Sequence, residues 1–486
     1  MTDPAPRPEA ARTPDPARTP QAAPGPDPDP ARTPQAASSP DPGRTPQTGS
    51  TPDDARPSQA ARLTETERRV LELVDEAALV DLASALIRAG GENPGSTEGP
   101  GVAVLRAACE ERGLTVDTWE VAPDRHNLVA TLETSAVDAT TQAGRRSSGC
   151  TPKVHDAGEC QGLLFVGHSD VVPAGPGWST DPFEPAVVDG RLVGRGSADM
   201  KGGLAAVLVA LDAVRRAGVE LTGPVTLACT VDEEDLDIGI RDLVAQPDRL
   251  PVRYTACVVA EPTDLDVVVA CRGDAYLEVE VTGVPAHSGR PSDGRNAIDA
   301  ASRILDLVRA DHERLVAAAD DPLGSGTWNA GRIEGGRGTS IVAPFCHLWL
   351  DRRLMPGEDP ATIATDLARR VDDAGITGDG IDVEVAVTME MPGFRTAHDH
   401  PLVVACVDAT RAVGWSGDVD VWTAACDGGF VARDLRIPTV VLGPGSVSEQ
   451  AHQRDESVAV AELVAAARAY ALLVIRLAGG STTRSR

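Results

Sequence analysis

Two histidines and a set of acids stand where short apolar runs end. The run 163–166 leads to Gly167-His168-Ser169-Asp170, and the run 225–231 leads to Asp232-Glu233-Glu234-Asp235. The run 256–260 meets Glu261, and 439–442 leads through a glycine-rich loop to His452. Between the first two runs, Gly194-Arg195-Gly196-Ser197-Ala198-Asp199-Met200-Lys201-Gly202-Gly203 presents Asp199 ahead of an apolar helix. Imidazole nitrogen and carboxylate oxygen are ligands that zinc takes readily. His168, Asp199, Glu234, Glu261 and His452 are too many for one tetrahedral catalytic site with an open position. They suit two metals if one carboxylate bridges, and Asp199 is the natural bridge. Two metals a few Å apart can activate water and polarise a carbonyl together. Such a centre needs a base, and Glu233 stands beside a ligand without being needed as one. Asp170, two residues after His168 on the same extended segment, can accept the other ring N–H and fix the tautomer.

Taken singly, these signals are weak. A lone histidine is more often a satisfied structural residue, and a Glu-Glu pair is more often a solvated turn. The glycine run around Asp199 lacks the Gly-Lys-Ser/Thr ending of a phosphate loop. The ordered set is the informative feature, because most of its members lie at or just past a strand end. Ligands of open α/β sheets gather outside the carboxyl ends of the strands.

The elements that must position these residues follow from pattern. The four runs are short and almost continuously apolar, as in strands buried on both faces of a parallel or mixed sheet covered by helices. The stretch 204–217, apolar over most of its circumference, reads as one covering helix. Thr64 with the acids after it predicts an N-cap and a helix through Val70 to Val74, followed by helices at 82–87 and 102–112. Asn127 to Leu132 reads as a strand. From Asp274 the pattern changes to alternation, and the expected order is β-α-β-β-α-β, the ferredoxin-like arrangement. The predicted layout is therefore a disordered Pro/Ala-rich tail at 1–62, a catalytic domain at 63–273 and 392–478, an inserted domain at 274–391, a surface insertion at 135–161, and a frayed end at 479–486. The tail repeats Arg-Thr-Pro at Arg12, Arg18, Arg32 and Arg44 and cannot bury enough apolar surface to order itself.

Composition narrows the partners. The net charge of −28 argues against nucleic acid or an anionic membrane surface, both of which need basic patches. No apolar run is long enough to span a bilayer, and the N-terminus lacks the apolar segment of a signal peptide. The nine cysteines form no CxxC pair, and Cys229, Cys257 and Cys271 sit in apolar surroundings, which suggests reduced structural thiols and a cytoplasmic protein. Cys150 and Cys160 flank a loop-like stretch and could pair, but nothing in the sequence requires it.

The stretch Gly167-His168-Ser169-Asp170-Val171-Val172-Pro173, then Trp178, Pro182-Phe183 and the 194–203 loop, resembles the acetylornithine deacetylase and succinyl-diaminopimelate desuccinylase family, grouped with aminoacylase-1 and glutamate carboxypeptidase. The likeness runs from about 63 to 477, omitting the insertion. It implies a zinc-peptidase-type α/β fold with an inserted lid and dimerisation domain. It implies two zinc ions, with cobalt or manganese as substitutes: His168 and Glu261 on one, Glu234 and His452 on the other, Asp199 between. Glu233 becomes general base and later proton donor, and Asp170 orients His168. A cis Asp199–Met200 peptide is also implied, since that family often shows one. Val284-Pro285-Ala286-His287-Ser288-Gly289 resembles the lid motif whose histidine reaches the partner subunit's site and stabilises an oxyanion, so His287 and a homodimer are implied. Asp351-Arg352-Arg353 resembles the source of a carboxylate-binding arginine, best matched by Arg353. Ser340 stands where the family usually has asparagine, which alters the expected contact to substrate. Gly443-Pro444-Gly445-Ser446 with Gln450-Ala451-His452-Gln453 and Asp455-Glu456 is most similar to the acetylornithine deacetylase branch. The expected reaction is removal of an acyl group from a small N-acyl amino acid. A metallo-dipeptidase or carboxypeptidase on the same centre is the nearest alternative, and a catalytically silent zinc-stabilised binding protein a more distant one.

Overall fold

A computed structural model describes residues 63–134 and 162–479. The expected tail at 1–62, the insertion at 135–161 with Cys150 and Cys160, and residues 480–486 lie outside the described residues. The chain begins with α1 (Glu65–Glu72), α2 (Glu76–Arg88), α3 (Gly99–Glu111), β1 (Thr115–Ala122), β2 (Arg125–Leu132) and β3 (Gly162–His168). It continues through β4 (Ala186–Val188), β5 (Arg191–Val193), α4 (Lys201–Arg216), β6 (Val225–Thr230), α5 (Ile238–Ala245), β7 (Tyr254–Val259) and β8 (Val267–Cys271). A second group follows: β9 (Gly273–Thr282), α6 (Ala297–Ala317), β10 (Thr327–Gly335), β11 (Phe345–Leu354), α7 (Pro360–Asp373) and β12 (Asp382–Met391). The last elements are β13 (Phe394–Arg395), α8 (Pro401–Ala412), β14 (Val419–Trp422), α9 (Gly428–Asp434), β15 (Thr439–Val441), β16 (Ser457–Ala459) and α10 (Val460–Ala478).

The four apolar runs form adjacent strands in the order β6, β3, β7, β15, all parallel. Their carboxyl ends therefore emerge along one edge. Antiparallel β1 and β2 extend the sheet beyond β6, and β8, with β13 and β14 paired to it, extends it beyond β15. Both faces are covered, as continuous apolar strands require. One face carries α2, α4, α8 and α10, with Phe165 set edge-on to Tyr470 at 5.2 Å between ring centres. The other carries α5 and α9 through Ile240, Leu243, Phe430 and Val431. Thr64 caps α1 through a reciprocal box with Glu67, at the position the sequence predicts. Strands β1 and β8 and helix α5 are not anticipated from the sequence. β1 is an edge strand that buries little besides Trp119, so it shows almost no apolar alternation.

The smaller sheet has the order β10, β11, β9, β12, antiparallel throughout, with its own apolar cluster beneath α6 and α7. This is the ferredoxin-like connection. The chain enters it at Gly273 and leaves it past Gly393, and the two crossings touch. A side-chain carbon added to Gly393 would stand 2.7 Å from the Gly273 nitrogen, so a larger residue would force the paired crossings apart. Among the described residues, no helix is long and apolar enough to cross a membrane. The seven described cysteines are buried free thiols.

One acid ties the smaller sheet to both of its helices. Asp311 on α6 accepts the Trp328 indole N–H of β10 at 2.8 Å and an Arg314 N–H at 2.8 Å, and pairs with Arg370 of α7 at 3.1 Å. Asp311→Ala leaves the indole N–H without its acceptor and is expected to cost about 2 kcal/mol. An unchanged urea-unfolding midpoint would refute that role.

Candidate metal centre

The edge of parallel strands delivers the predicted residues to one place. His168 is the last residue of β3, Glu233 and Glu234 follow β6 after a two-residue turn, and Glu261 follows β7 by two residues. His452 arrives on the segment between β15 and β16, and Asp199 on the loop between β5 and α4. Two of these turns are strained in a way side chains rarely adopt: Asp232, just before Glu233, has φ 67°, and His452 itself has φ 61°. The Asp199–Met200 peptide is cis, as the resemblance implied.

His168 Nε2 lies 3.1 Å from Asp199 Oδ1 and 3.3 Å from Glu261 Oε1. His452 Nε2 lies 3.0 Å from Glu234 Oε2 and 3.4 Å from Asp199 Oδ2. Each imidazole is thus paired with one glutamate, and Asp199 turns one oxygen to each. Glu233 approaches without pairing closely, its Oε2 4.0 Å from His168 Nε2. The ligand atoms of His168, Asp199 and Glu234 lie within 4.8 Å of one another, as do those of His168, Glu233 and Glu261.

The electrostatics fit a polyvalent cation. Burial pushes Glu261 up to about 8, with the charges of Asp199 and Glu234 adding to the effect. Burial likewise raises Glu233 well above the ordinary carboxylate range, and Glu261, Glu234 and Asp427 repel its charge further. The bonds to Asp199 and Glu234 lift His452 to about 10. Burial opposes charge on His168, yet Glu261, Asp170 and Asp199 outweigh it and raise its pKa. Burial also opposes charge on Asp199, and the two imidazoles overcome it and hold its pKa down. Glu234 Oε1 is buried with no hydrogen-bond partner, an orphan acceptor of the kind a cation satisfies. Crowded acids that raise one another's pKa values, two imidazoles and an orphaned oxygen together fit a two-cation donor set.

Behind the cluster stands a frame of which the sequence anticipated only Asp170. Asp170 lies 3.4 Å from His168 Nδ1 through Oδ1, but its backbone carbonyl is closer, at 3.1 Å. Its carboxylate also accepts the amides of Glu233 and Glu234 at 3.3 and 3.1 Å and the Asn93 amide group at 2.9 Å. Asn93 further donates to Asp232 at 2.8 Å and accepts from Arg125 at 2.7 Å, while Arg125 pairs with Asp232 and with buried Glu98. Buried Asp427 accepts the Thr230 hydroxyl at 2.6 Å. The only sequence signal for Asn93 was its place in a Gly/Pro helix break, which reads as a turn.

The cluster opens into a cavity of about 220 Å³. Arg353 lines it from β11, paired with Asp274 at 3.2 Å and Asp351 at 3.1 Å. His287 and Ser340 do not line it. They are exposed neighbours on the smaller-sheet unit, where the Ser288 amide donates to the Ser340 carbonyl at 3.1 Å and the Gly289 amide to His287 Nδ1 at 3.0 Å.

The family model for Peptidase family M20/M25/M40 matches residues 164–476. The chain belongs to this family. Among relatives of the family, the acetylornithine deacetylase of Vibrio cholerae is 30% identical over 358 residues, 71% of this chain and 83% of the relative. That of Proteus mirabilis is 31% identical over 309 residues, 62% of this chain and 75% of the relative. A tripeptidase of Staphylococcus aureus superposes with a TM-score of 0.63 at 22% identity, covering 83% of this chain and 99% of that one. A dinuclear metal binding peptidase of the M20 family from Bacillus subtilis gives 0.59 at 15%, covering 83% and 98%. Membership makes the chain a metal-dependent amide hydrolase.

Asn93→Ala removes the amide that holds Asp170 and Asp232 together. It is expected to weaken divalent-cation binding by about 10–100-fold, read by competition with a chromophoric chelator. Wild-type affinity would remove Asn93 from the frame.

Proposed function

We propose that this chain deacylates an N-acyl amino acid at a dinuclear zinc centre. His168 and Glu261 would hold one ion and Glu234 and His452 the other, with Asp199 shared between them and Glu233 as the general base. The observation that carries this reading is the division of Asp199, with Oδ1 toward His168 and Oδ2 toward His452. When bound, two zinc ions supply Lewis acidity for the scissile carbonyl and make water nucleophilic at neutral pH. Glu233, pointed at the same space and largely sheltered from solvent, takes the proton of the attacking water and returns it to the leaving amine. Asp170 orients His168 from behind.

Arg353, on the cavity wall, binds the substrate carboxylate. His287 and Ser340 lie outside this cavity, so they serve the site of a second copy in a homodimer built through the smaller-sheet unit. There His287 stabilises the oxyanion. The seven described cysteines, all buried thiols, support a cytoplasmic protein.

Charge favours a basic amino acid over a diacid. Beyond the ligands and Glu233, the cavity carries Asp235 and Asp274 as its charged acids, with Asp274 paired to Arg353, while burial raises Asp237 to about 9 and keeps it uncharged at neutral pH, so one carboxylate is in excess. That excess suits an N-acetylornithine-like side chain and disfavours a succinyl-diaminopimelate-like one, which adds carboxylates.

Glu233→Ala is expected to lower kcat by about 10³-fold while leaving zinc content unchanged by atomic absorption. Wild-type turnover in that variant would remove Glu233 as the base. In a substrate panel, N-acetylornithine is expected to exceed N-succinyl-diaminopimelate and simple dipeptides in kcat/KM. Preference for dipeptides would reassign the chain to the peptidase reading. His287→Ala is expected to lower kcat while leaving the dimer intact by light scattering. A monomer of full activity would refute the shared site.

A further inference from the structure

Glu456 stands four residues after His452 and binds the loop that carries Asp199. Its carboxylate is wholly buried and accepts four N–H bonds. Oε2 takes the Arg195 guanidinium at 2.7 Å and the Gly196 amide at 2.9 Å. Oε1 takes the Ala198 amide at 2.8 Å and the Asp199 amide at 3.0 Å. The Glu456 carbonyl accepts the Gly194 amide at 2.9 Å. One residue thus gathers the whole loop 194–199, whose last member is Asp199. Arg195 is fixed on its far side over the Trp178 ring, 5.1 Å from the centre.

Glu456 also ends the segment that carries His452. Gln450 Oε1 closes that segment by accepting the Ser457 amide at 2.9 Å and hydroxyl at 3.1 Å. Inside it, His452 and Asp455 have φ of 61° and 55°, conformations that persist only when their surroundings over-determine them. The two loops lie 257 residues apart in sequence, and this buried carboxylate joins them.

We propose that Glu456 is a positioning residue that sets the spacing of Asp199 and His452, and through it the affinity for the second cation of the pair. The inference rests on the ligand set proposed above. Every partner of the carboxylate is an N–H donor. A glutamine there would turn its own N–H₂ toward two of them in either orientation, and an aspartate would withdraw both oxygens by one carbon.

The test titrates metal-free wild type, Glu456→Gln and Glu456→Asp with Co²⁺ alone, following ligand-field absorption and chelator competition, with near-ultraviolet circular dichroism of the metal-free proteins as the fold readout. Wild type is expected to take two cobalt ions. At least one variant is expected to keep the wild-type dichroism yet bind the second ion about 10–100-fold more weakly. In that variant kcat falls while KM stays within about threefold, as expected when reacting groups are misplaced and binding is not. Wild-type affinity for the second ion in a folded variant overturns this inference alone. Loss of the fold in both variants also overturns it, assigning Glu456 to structure only. A wild type that binds fewer than two ions overturns the ligand set and this inference with it.

Discussion

Mutual repulsion among acids held out of water is the constraint on which this structure is built. Asp199, Glu233, Glu234 and Glu261 crowd around the buried imidazole of His168, with Asp170 and Asp427 behind them. Burying charges of one sign is among the costlier arrangements a protein can adopt, and protonation or a cation must relieve it. The raised pKa values of Glu233 and Glu261 express that tension, and the lowered value of Asp199 shows where the imidazoles relieve it. A fold that retains such a cluster is organised around what neutralises it.

The surrounding architecture keeps the acids from moving apart. Three of the four parallel strands present His168, Glu234 and Glu261 at their shared carboxyl edge, and strands packed on both faces cannot shift independently. The other two members of the cluster, Asp199 and His452, come from loops, where backbone freedom is greatest. Those loops carry dense hydrogen bonding: four N–H groups on Glu456 for the first, and the Gln450–Ser457 closure for the second. The Asn93–Arg125–Asp232 network does the same for Asp170. Rigidity is concentrated where the strands do not provide it.

The smaller sheet enters the chemistry through its open face. Strand alternation on β9 sends Ala275, Leu277 and Val279 to the helices and leaves Asp274 and Tyr276 on the cavity side, beside Arg353 of β11. The two glycine crossings at Gly273 and Gly393 lie against each other, so this wall meets the acid and imidazole cluster through a narrow connection. His287 and Ser340 sit on the same unit but outside the cavity.

The order of apolar runs and the ligand types at their ends were legible in the chain alone. Continuous apolar strands mark burial on both faces, and a polar residue directly after one has few places to go but the strand edge. The β-α-β-β-α-β order was legible for the same reason, since alternation and helical periodicity leave different traces. Edge strand β1 was not legible, because a strand that buries almost nothing has no pattern. Nor were Asn93, Arg125 and Glu456 given roles, because their partners lie far away in sequence and a polar residue in a loop looks alike whether it binds water or a buried carboxylate. The sequence by itself determined which side chains could bind cations and which strands would carry them. Only the tertiary structure decided that Asn93 and Arg125 brace Asp170 and Asp232 and that Glu456 gathers the Asp199 loop, because both depend on how loops of no regular period pack in space.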